Sequence, residues 1–299
     1  MNRRRNKKSS FSLSFYMLAA VVALASACYA KMKPSGSETE SATAIAADAP
    51  TSDASTPSDE GGVGTESAQN GEVGNGELCI PHYESSRGGQ VIHHTGYTVS
   101  YDSDFKTPQW VGWTLTAEKA QGSVPRYNKF APDPEVRGAQ AYDTDYKGSG
   151  FDRGHIAPAG DMKWNEDAMR ESFYLSNVCP QNRNLNRGDW KELEELEREW
   201  ALQYGSVSIT AGPIYSNNQP QRIGANHVAV PDGFFKVLLV GYPKSPKAYG
   251  FVYKNEAGSR PMKSYQLSVD EVERITGMDF FPALPDNVEN RIEAEKPSL

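Results

Sequence analysis

Residues 151–155 (FDRGH) place a histidine next to a glycine. An imidazole has an unperturbed pKa of about 6.5, so His155 could accept a proton from water at neutral pH and act as a general base. Gly154 would let the backbone turn tightly beside it. On residue type alone a lone histidine is more often a packed core or surface residue, and this structural alternative is favoured.

A second group of polar side chains follows in the segment LSNVCPQNRNLNRGDW, where Asn177, Gln181 and Asn186 carry amides. Hard divalent cations such as Mg²⁺ prefer oxygen ligands, and an amide oxygen qualifies. A single amide ligand would leave most of the Mg²⁺ shell to water. Asparagine is also common in turns and at helix caps, and taken alone these residues are better explained that way.

Glu194 and Arg198 are four residues apart on the strongest helical pattern of the chain. They could form an ordinary surface ion pair worth a few tenths of a kcal/mol. Alternatively, Glu194 could hold metal-bound water and Arg198 could meet a phosphate, because a guanidinium matches phosphate geometry. The spacing does not choose between these two roles.

The order of these residues is more informative than any one of them. Phosphodiester hydrolysis needs a base, a cation, positive groups on the phosphate and fixed positions for all of them. The motifs D-R-G-H, S-N-V-C-P-Q, L-N-R-G-D-W and E-x-x-x-R follow in that order. The chain thereby resembles the non-specific DNA/RNA endonucleases, which include mitochondrial endonuclease G and secreted bacterial sugar-nonspecific nucleases. The resemblance is specific over residues 150–200 and looser over about 80–280.

The resemblance implies a ββα-metal (His-Me finger) site with a general base and one metal ligand. His155 matches the motif histidine and would be the base. Asn186 would be the only direct protein ligand of Mg²⁺, with Mn²⁺ as a substitute. Glu194 would anchor metal-bound water.

The remaining motif residues would hold the substrate and the site. Arg153 and Arg198 would contact phosphate, and Asn177 and Gln181 would order the site and its water network. Arg126 would be an upstream phosphate-binding arginine, although its local pattern aligns poorly with the family. Asp152 would be structural and would fix the turn. The base and metal positions show no departure from the family pattern.

We therefore expect a metal-dependent, sequence-nonspecific endonuclease for DNA and RNA. The alternatives are a non-catalytic envelope protein that binds nucleic acid or a partner on the same scaffold, and a phosphodiesterase for small nucleotides. The chain has no C-x-x-C, H-E-x-x-H or Walker A motif, which leaves zinc hydrolases and nucleoside triphosphatases without support. Its formal net charge of −7 differs from a strongly basic nucleic-acid footprint, so phosphate binding must be local.

The amino-terminal residues predict export. Residues 1–28 combine a basic start with an apolar stretch over 11–27, which is typical of a signal peptide, and an uncleaved membrane anchor is the alternative. The sequence Leu24-Ala25-Ser26-Ala27-Cys28 resembles a lipoprotein cleavage box, in which Cys28 would be lipidated and tether the chain to a membrane. Plain secretion into the periplasm or medium is the other outcome. We expect a bacterial cell-envelope location.

Residues 29–78 predict a disordered linker, because they are rich in small, polar and acidic residues and have almost no large apolar ones. Residues 79–299 are long enough for one sizeable nuclease domain. Cys79 and Cys179 form an even pair in an exported chain, so a disulfide is as plausible as two separate buried thiols.

Hydrophobic periodicity predicts an α+β fold with a central, mostly antiparallel sheet flanked by helices. Residues 125–150 predict a long loop. Ser268 and Glu271 form a capping box, and Asn165 is a candidate helix cap. The expected strands span residues 91–101 (one or two strands), 109–117, 207–214, 233–242 and 248–254. The expected helices span residues 166–174, 189–204 and 269–276.

Overall fold

The computed structural model of the chain describes residues 76–299. The predicted signal peptide over 1–28 and the predicted linker up to residue 75 lie outside the described residues. Leu78 is buried in the core, so the folded part begins no later than this residue, one position before the expected domain boundary. Within residues 76–299, no helix is long and apolar enough to cross a membrane.

The described residues form an α+β fold, as expected. The strands are β1 (Gln90–His93), β2 (Thr98–Asp102), β3 (Thr107–Thr116), β4 (Asp152–His155), β5 (Val178–Gln181), β6 (Ser206–Ile214), β7 (Arg222–Ile223), β8 (Val228–Ala229), β9 (Gly233–Val240), β10 (Lys247–Lys254) and β11 (Gln266–Leu267). The α-helices are α1 (Ala117–Ala120), α2 (Asp143–Tyr146), α3 (Glu166–Glu171), α4 (Arg183–Arg187), α5 (Asp189–Tyr204), α6 (Val269–Thr276) and α7 (Asp286–Ala294). Two 3₁₀ turns cover Leu175–Asn177 and Met262–Tyr265.

Seven strands form one antiparallel sheet in the order β1-β2-β3-β6-β9-β10-β11. The interior strand β9 (GFFKVLLV), fifth in this order, is buried along its whole length, and its side chains enter two cores. Phe234 and Leu238 join the core that includes α5, whereas Phe235 and Val237 join the core that includes α6 and α7. A strand covered on both faces reads as a continuous apolar run, and this explains the sequence of β9.

The elements expected from periodicity are present with small shifts at their ends. Helix α5 spans the expected 189–204, and α6 begins at the capping box of Ser268 and Glu271. Asn165 caps α3 through its side-chain oxygen, but α3 stops at Glu171, before the expected end at residue 174. The short strands β4 and β5 and the helices α4 and α7 were not expected, because none of them shows a clear apolar period.

Of the two alternatives for Cys79 and Cys179, the structure has two separate buried thiols and no disulfide between them. Gly112 faces Cys79 on the side of the sheet that carries Trp110, whereas Cys179 packs into the core of the opposite face. A disulfide needs Cβ atoms about 3.5–4.5 Å apart, and the sheet lies between these two residues. Burial raises the pKa of Cys79 to about 11 and raises the pKa of Cys179 as well, so both sulfurs stay protonated and unreactive.

Candidate active site

The strand β4, the strand β5 and the helix α4 form a ββα unit that Asp152 holds together. β4 pairs antiparallel with β5 from Asp152 opposite Gln181 to His155 opposite Val178. Asp152 accepts hydrogen bonds from Arg187 Nε (2.8 Å), Arg183 Nε (3.3 Å) and Asn186 Nδ2 (3.3 Å), all on α4. The aspartate therefore fixes the helix against the strand, rather than fixing a turn as expected.

Gly154 lies inside β4, so its expected role as a tight-turn residue is wrong. A β-carbon built on Gly154 would lie 2.6 Å from Cβ of Gln181 and would overlap the amide of that side chain. The glycine therefore provides room for Gln181 to cross β4 next to His155. The residue that turns the chain here is Gly150, with φ at +86°, immediately before the strand.

His155 is buried against two aromatic rings. Its ring centroid lies 4.8 Å from that of Phe173, edge to face, and 5.1 Å from that of Phe130. Its Nε2 atom is buried and has no hydrogen-bond partner among the described residues. Burial, with Arg126 and Arg153 adding to it, lowers the pKa of His155 to about 3. The imidazole is therefore neutral at pH 7 and can accept a proton.

The two arginines that act on His155 are anchored on the same aromatic residues. The Arg126 guanidinium lies 4.9 Å from the ring centre of Phe173, and the Arg153 guanidinium lies 4.9 Å from that of Phe130. Arg153 also pairs with Asp143 on α2. Arg126, whose pattern aligned poorly, is thus brought to the site together with Arg153.

Asn177 and Gln181, although close in sequence, have different environments. The Asn177 amide is fully used by the backbone, since Oδ1 accepts from Ala157 N and Nδ2 donates to the carbonyls of Ala157 and Ser172, all at 2.9 Å. It fixes the chain just after His155. By contrast, Gln181 is buried and neither polar atom of its amide has a partner among the described residues. Of the two, Gln181 is the one whose amide remains available to order water.

Asn186 and Glu194 are the two residues that the family resemblance gives to a metal ion, and each carries a side-chain oxygen. Asn186 is partly buried. Its amide nitrogen donates a hydrogen bond to Asp152, so its carbonyl oxygen points away from that carboxylate. Glu194 is partly buried on α5, and burial raises its pKa to about 7 while Lys236 and Arg198 act to lower it. An amide oxygen and a carboxylate oxygen are donors that Mg²⁺ accepts, and this ion keeps most of its water when bound.

Arg198 is held by a buried acid that the sequence motifs did not reveal. Arg198 Nη1 donates to Oδ1 of Asp161 at 2.9 Å, and Trp113 Nε1 donates to the other carboxylate oxygen at 3.0 Å. The guanidinium also lies against the backbone of Gly160. Among the described residues Arg198 pairs with Asp161, so the ordinary ion pair with Glu194, one of the two roles that the spacing left open, is not found. A tryptophan of the main sheet holds Asp161 in place.

A fully buried ion pair lies behind Glu194. Lys236 Nζ donates to Glu197 Oε2 at 3.0 Å, with both side chains inaccessible to solvent. The ammonium also lies 4.5 Å from the ring centre of Trp190. Its charge acts on Glu194 as well as on Glu197, and burial raises the pKa of Glu197. The lysine is a single charged residue in the apolar run of β9, which is the signal that could have identified it.

The residues that motif analysis missed have weaker signals. Phe130, Phe173 and Asp143 come from segments without a recognisable motif, and only the fold brings them to His155 and Arg153. Asp161 follows the D-R-G-H motif closely but resembles any loop aspartate.

With this geometry established, comparison with known proteins assigns the family. Residues 74–287 match the family model described as DNA/RNA non-specific endonuclease. The chain belongs to the DNA/RNA non-specific endonuclease family. Over 213 residues it is 38% identical to the mitochondrial nuclease EXOG of Danio rerio, covering 66% of this chain and 62% of that protein. Over 207 residues it is 34% identical to the mitochondrial endonuclease G of Homo sapiens, covering 64% of this chain and 70% of that protein.

A solved structure agrees with this assignment. This chain is similar to a chain in the crystal structure of the EndoG/EndoGI complex, with a TM-score of 0.66 and 29% sequence identity. The match covers 76% of this chain and 99% of that chain. The EXOG relatives are longer, since this chain spans 62% of the Danio rerio protein and 56% of the Homo sapiens one.

The close approach of Gly154 to Gln181 predicts the effect of adding one methyl group. Gly154→Ala should lower the free energy of unfolding by about 1–3 kcal/mol, because β4 and β5 must separate to admit it. Urea denaturation would measure the loss. Gly76→Ala is the matched control, since a β-carbon there meets nothing within 4 Å. Equal stability of the two variants would contradict the packing described here.

Proposed function

We propose that this family member is a metal-dependent, sequence-nonspecific endonuclease that hydrolyses the phosphodiester bonds of DNA and RNA. The observation that carries the proposal is the environment of His155. The lowered pKa keeps this buried imidazole neutral, which is the form that a general base requires, and its Nε2 has no hydrogen-bond partner among the described residues. The family name and the names of the relatives support the same reaction class.

In this proposal the aromatic pocket sets the chemistry of the base. Phe130 and Phe173 exclude water from one side of His155, so the ring stays neutral and can accept the proton of an attacking water. Arg126 and Arg153 receive the phosphate. Its negative charge offsets theirs, which moves the pKa of His155 back up toward neutrality, where a general base is most effective.

Asn186 and Glu194 would hold the metal, with Asn186 as the direct ligand and Glu194 on its water molecules. Mg²⁺, or Mn²⁺ in its place, would stabilise the charge that develops on the phosphate and the leaving oxygen. Arg198 would complete the phosphate contacts from the position that Asp161 gives it. Asn177 would position the backbone after the base, and Gln181 would order water beside it.

We also propose that the chain is exported to a bacterial cell envelope and anchored through a lipid on Cys28, or is otherwise periplasmic or secreted. The support is the basic, then apolar, then small-residue sequence that ends at Cys28. The mitochondrial location in the names of EXOG and endonuclease G applies to those proteins. A lipid anchor and the long acidic segment after it would place the enzyme at a distance from a membrane surface.

Metal-dependent digestion tests the catalytic proposal. The full chain with Mg²⁺ or Mn²⁺ should cut plasmid DNA and RNA, and His155→Ala should lower the rate by about 10²–10⁴-fold because the base is lost. The exposed His93 gives the matched control, His93→Ala, which should keep full activity.

Three results would count against the proposal. An unchanged rate in His155→Ala would show that His155 is not the general base. Retention of nucleic acid without cleavage would favour a binding protein on this scaffold. Cleavage restricted to small nucleotide substrates would favour a phosphodiesterase.

Fractionation of expressing bacteria tests the anchor. The wild-type chain should partition with membranes and carry metabolically incorporated fatty acid, whereas Cys28→Ser should carry none and leave the membrane fraction. Cys79→Ser, which changes a buried thiol of the folded part, is the control and should still be lipidated. A wild-type chain without lipid would contradict the anchor.

A further inference from the structure

A cluster of carboxylates lies between α6 and α7, away from the His155 site. Asp270, Glu273 and Glu293 each offer a carboxylate oxygen, and these oxygens lie within 4.8 Å of one another. Asp270 and Glu273 are one helical turn apart on α6, and Glu293 projects from α7. Both helices pack in the core on the face of the sheet opposite α5, so this cluster is separate from Asn186 and Glu194.

Glu293 is the member that points to a ligand. It is only 6% exposed, and its Oε1 is buried without a hydrogen-bond partner among the described residues. No basic side chain within residues 76–299 forms an ion pair with Asp270, Glu273 or Glu293; the nearby Arg291 pairs with Glu295 instead. A buried carboxylate facing two others, with no positive partner, is unfavourable unless a proton or a cation neutralises it.

The spacing fits one hard cation. Calcium accepts carboxylate oxygens at about 2.3–2.6 Å, so two oxygens that share the ion lie at most about 5 Å apart. Glu273 already uses Oε1 to accept a hydrogen bond from Phe280 N at 2.9 Å, which orients its carboxylate toward the cluster. Magnesium is less suitable, because it demands near-ideal octahedral geometry, whereas calcium tolerates irregular ligand sets.

We propose that Asp270, Glu273 and Glu293 bind one structural Ca²⁺ ion that fastens α7 to α6. Asp270 and Glu273 lie within the match to the family model, which ends at residue 287, and Glu293 lies beyond it, so a residue outside that match completes the site. It is independent of the catalytic proposal, and its function is stability. The ion joins two helices of eight and nine residues, which are too short to be stable alone.

Thermal unfolding in calcium and in chelator tests the site. The parent is the full chain with Asn186→Ala, which removes the proposed catalytic ligand. Its unfolding midpoint should rise by about 5–10 °C when Ca²⁺ is added at about 100 times its dissociation constant. Adding Glu293→Gln should abolish that rise. Glu295→Gln, at the exposed end of α7, should leave it intact.

Burial and four neighbouring carboxylates raise the pKa of Glu293 to about 9, so a shared proton could neutralise the cluster in place of a cation. The same variants separate these two cases. Glutamine imitates a protonated glutamate, so Glu293→Gln should fold. If a proton alone neutralises the cluster, calcium will leave the parent midpoint unchanged, which overturns the proposal. An equal rise in Glu293→Gln overturns it too. Calorimetric titration of the parent with CaCl₂ should give one site, and Asp270→Asn should remove it.

Discussion

The three hydrogen bonds that Asp152 accepts from α4 are the constraint on which the candidate site depends. They join residues 31 to 35 positions apart in the chain. A five-residue helix is not stable alone in water, because its few backbone hydrogen bonds do not offset the free-energy cost of nucleation. The carboxylate on β4 therefore provides the tertiary support that α4 needs. Asp152 thereby ties the helix that carries the proposed metal ligand, Asn186, to the strand that carries the proposed base, His155.

Burial then gives the polar groups their chemistry. The aromatic pocket keeps His155 neutral, and burial raises the pKa of Glu194 on α5 to about 7. The main sheet contributes directly: Trp113 on β3 holds Asp161, which holds Arg198, and Lys236 on β9 places a positive charge behind Glu194. Such a buried lysine is retained at a cost in desolvation free energy, which Glu197 and two tryptophan rings offset.

The sequence predicted the parts of this arrangement that depend on local patterns. Periodicity located α5, α6 and most strands of the main sheet, and the ordered motifs pointed to His155 and Asn186. Periodicity missed β4, because D-R-G-H has no apolar alternation. This segment is held as a strand by its pairing with β5, which ends at Gln181. The sequence also pointed to a turn at Gly154, whose φ/ψ freedom is unused, since a glycine needed for close approach and one needed for a turn look alike in a sequence. The sequence left the pairing of Cys79 and Cys179 open, because spacing cannot tell which face of a sheet a cysteine occupies.

The central claim is that His155 is a neutral base at physiological pH because it is buried beside two arginines. NMR titration of the His155 ring nitrogens in the full chain, with ¹⁵N-histidine and assignment by His155→Ala, measures this directly. The account predicts that the ring stays neutral from pH 8 down to pH 5, because its pKa of about 3 lies well below that range. A midpoint near 6.5, the value of a solvated histidine, would contradict it.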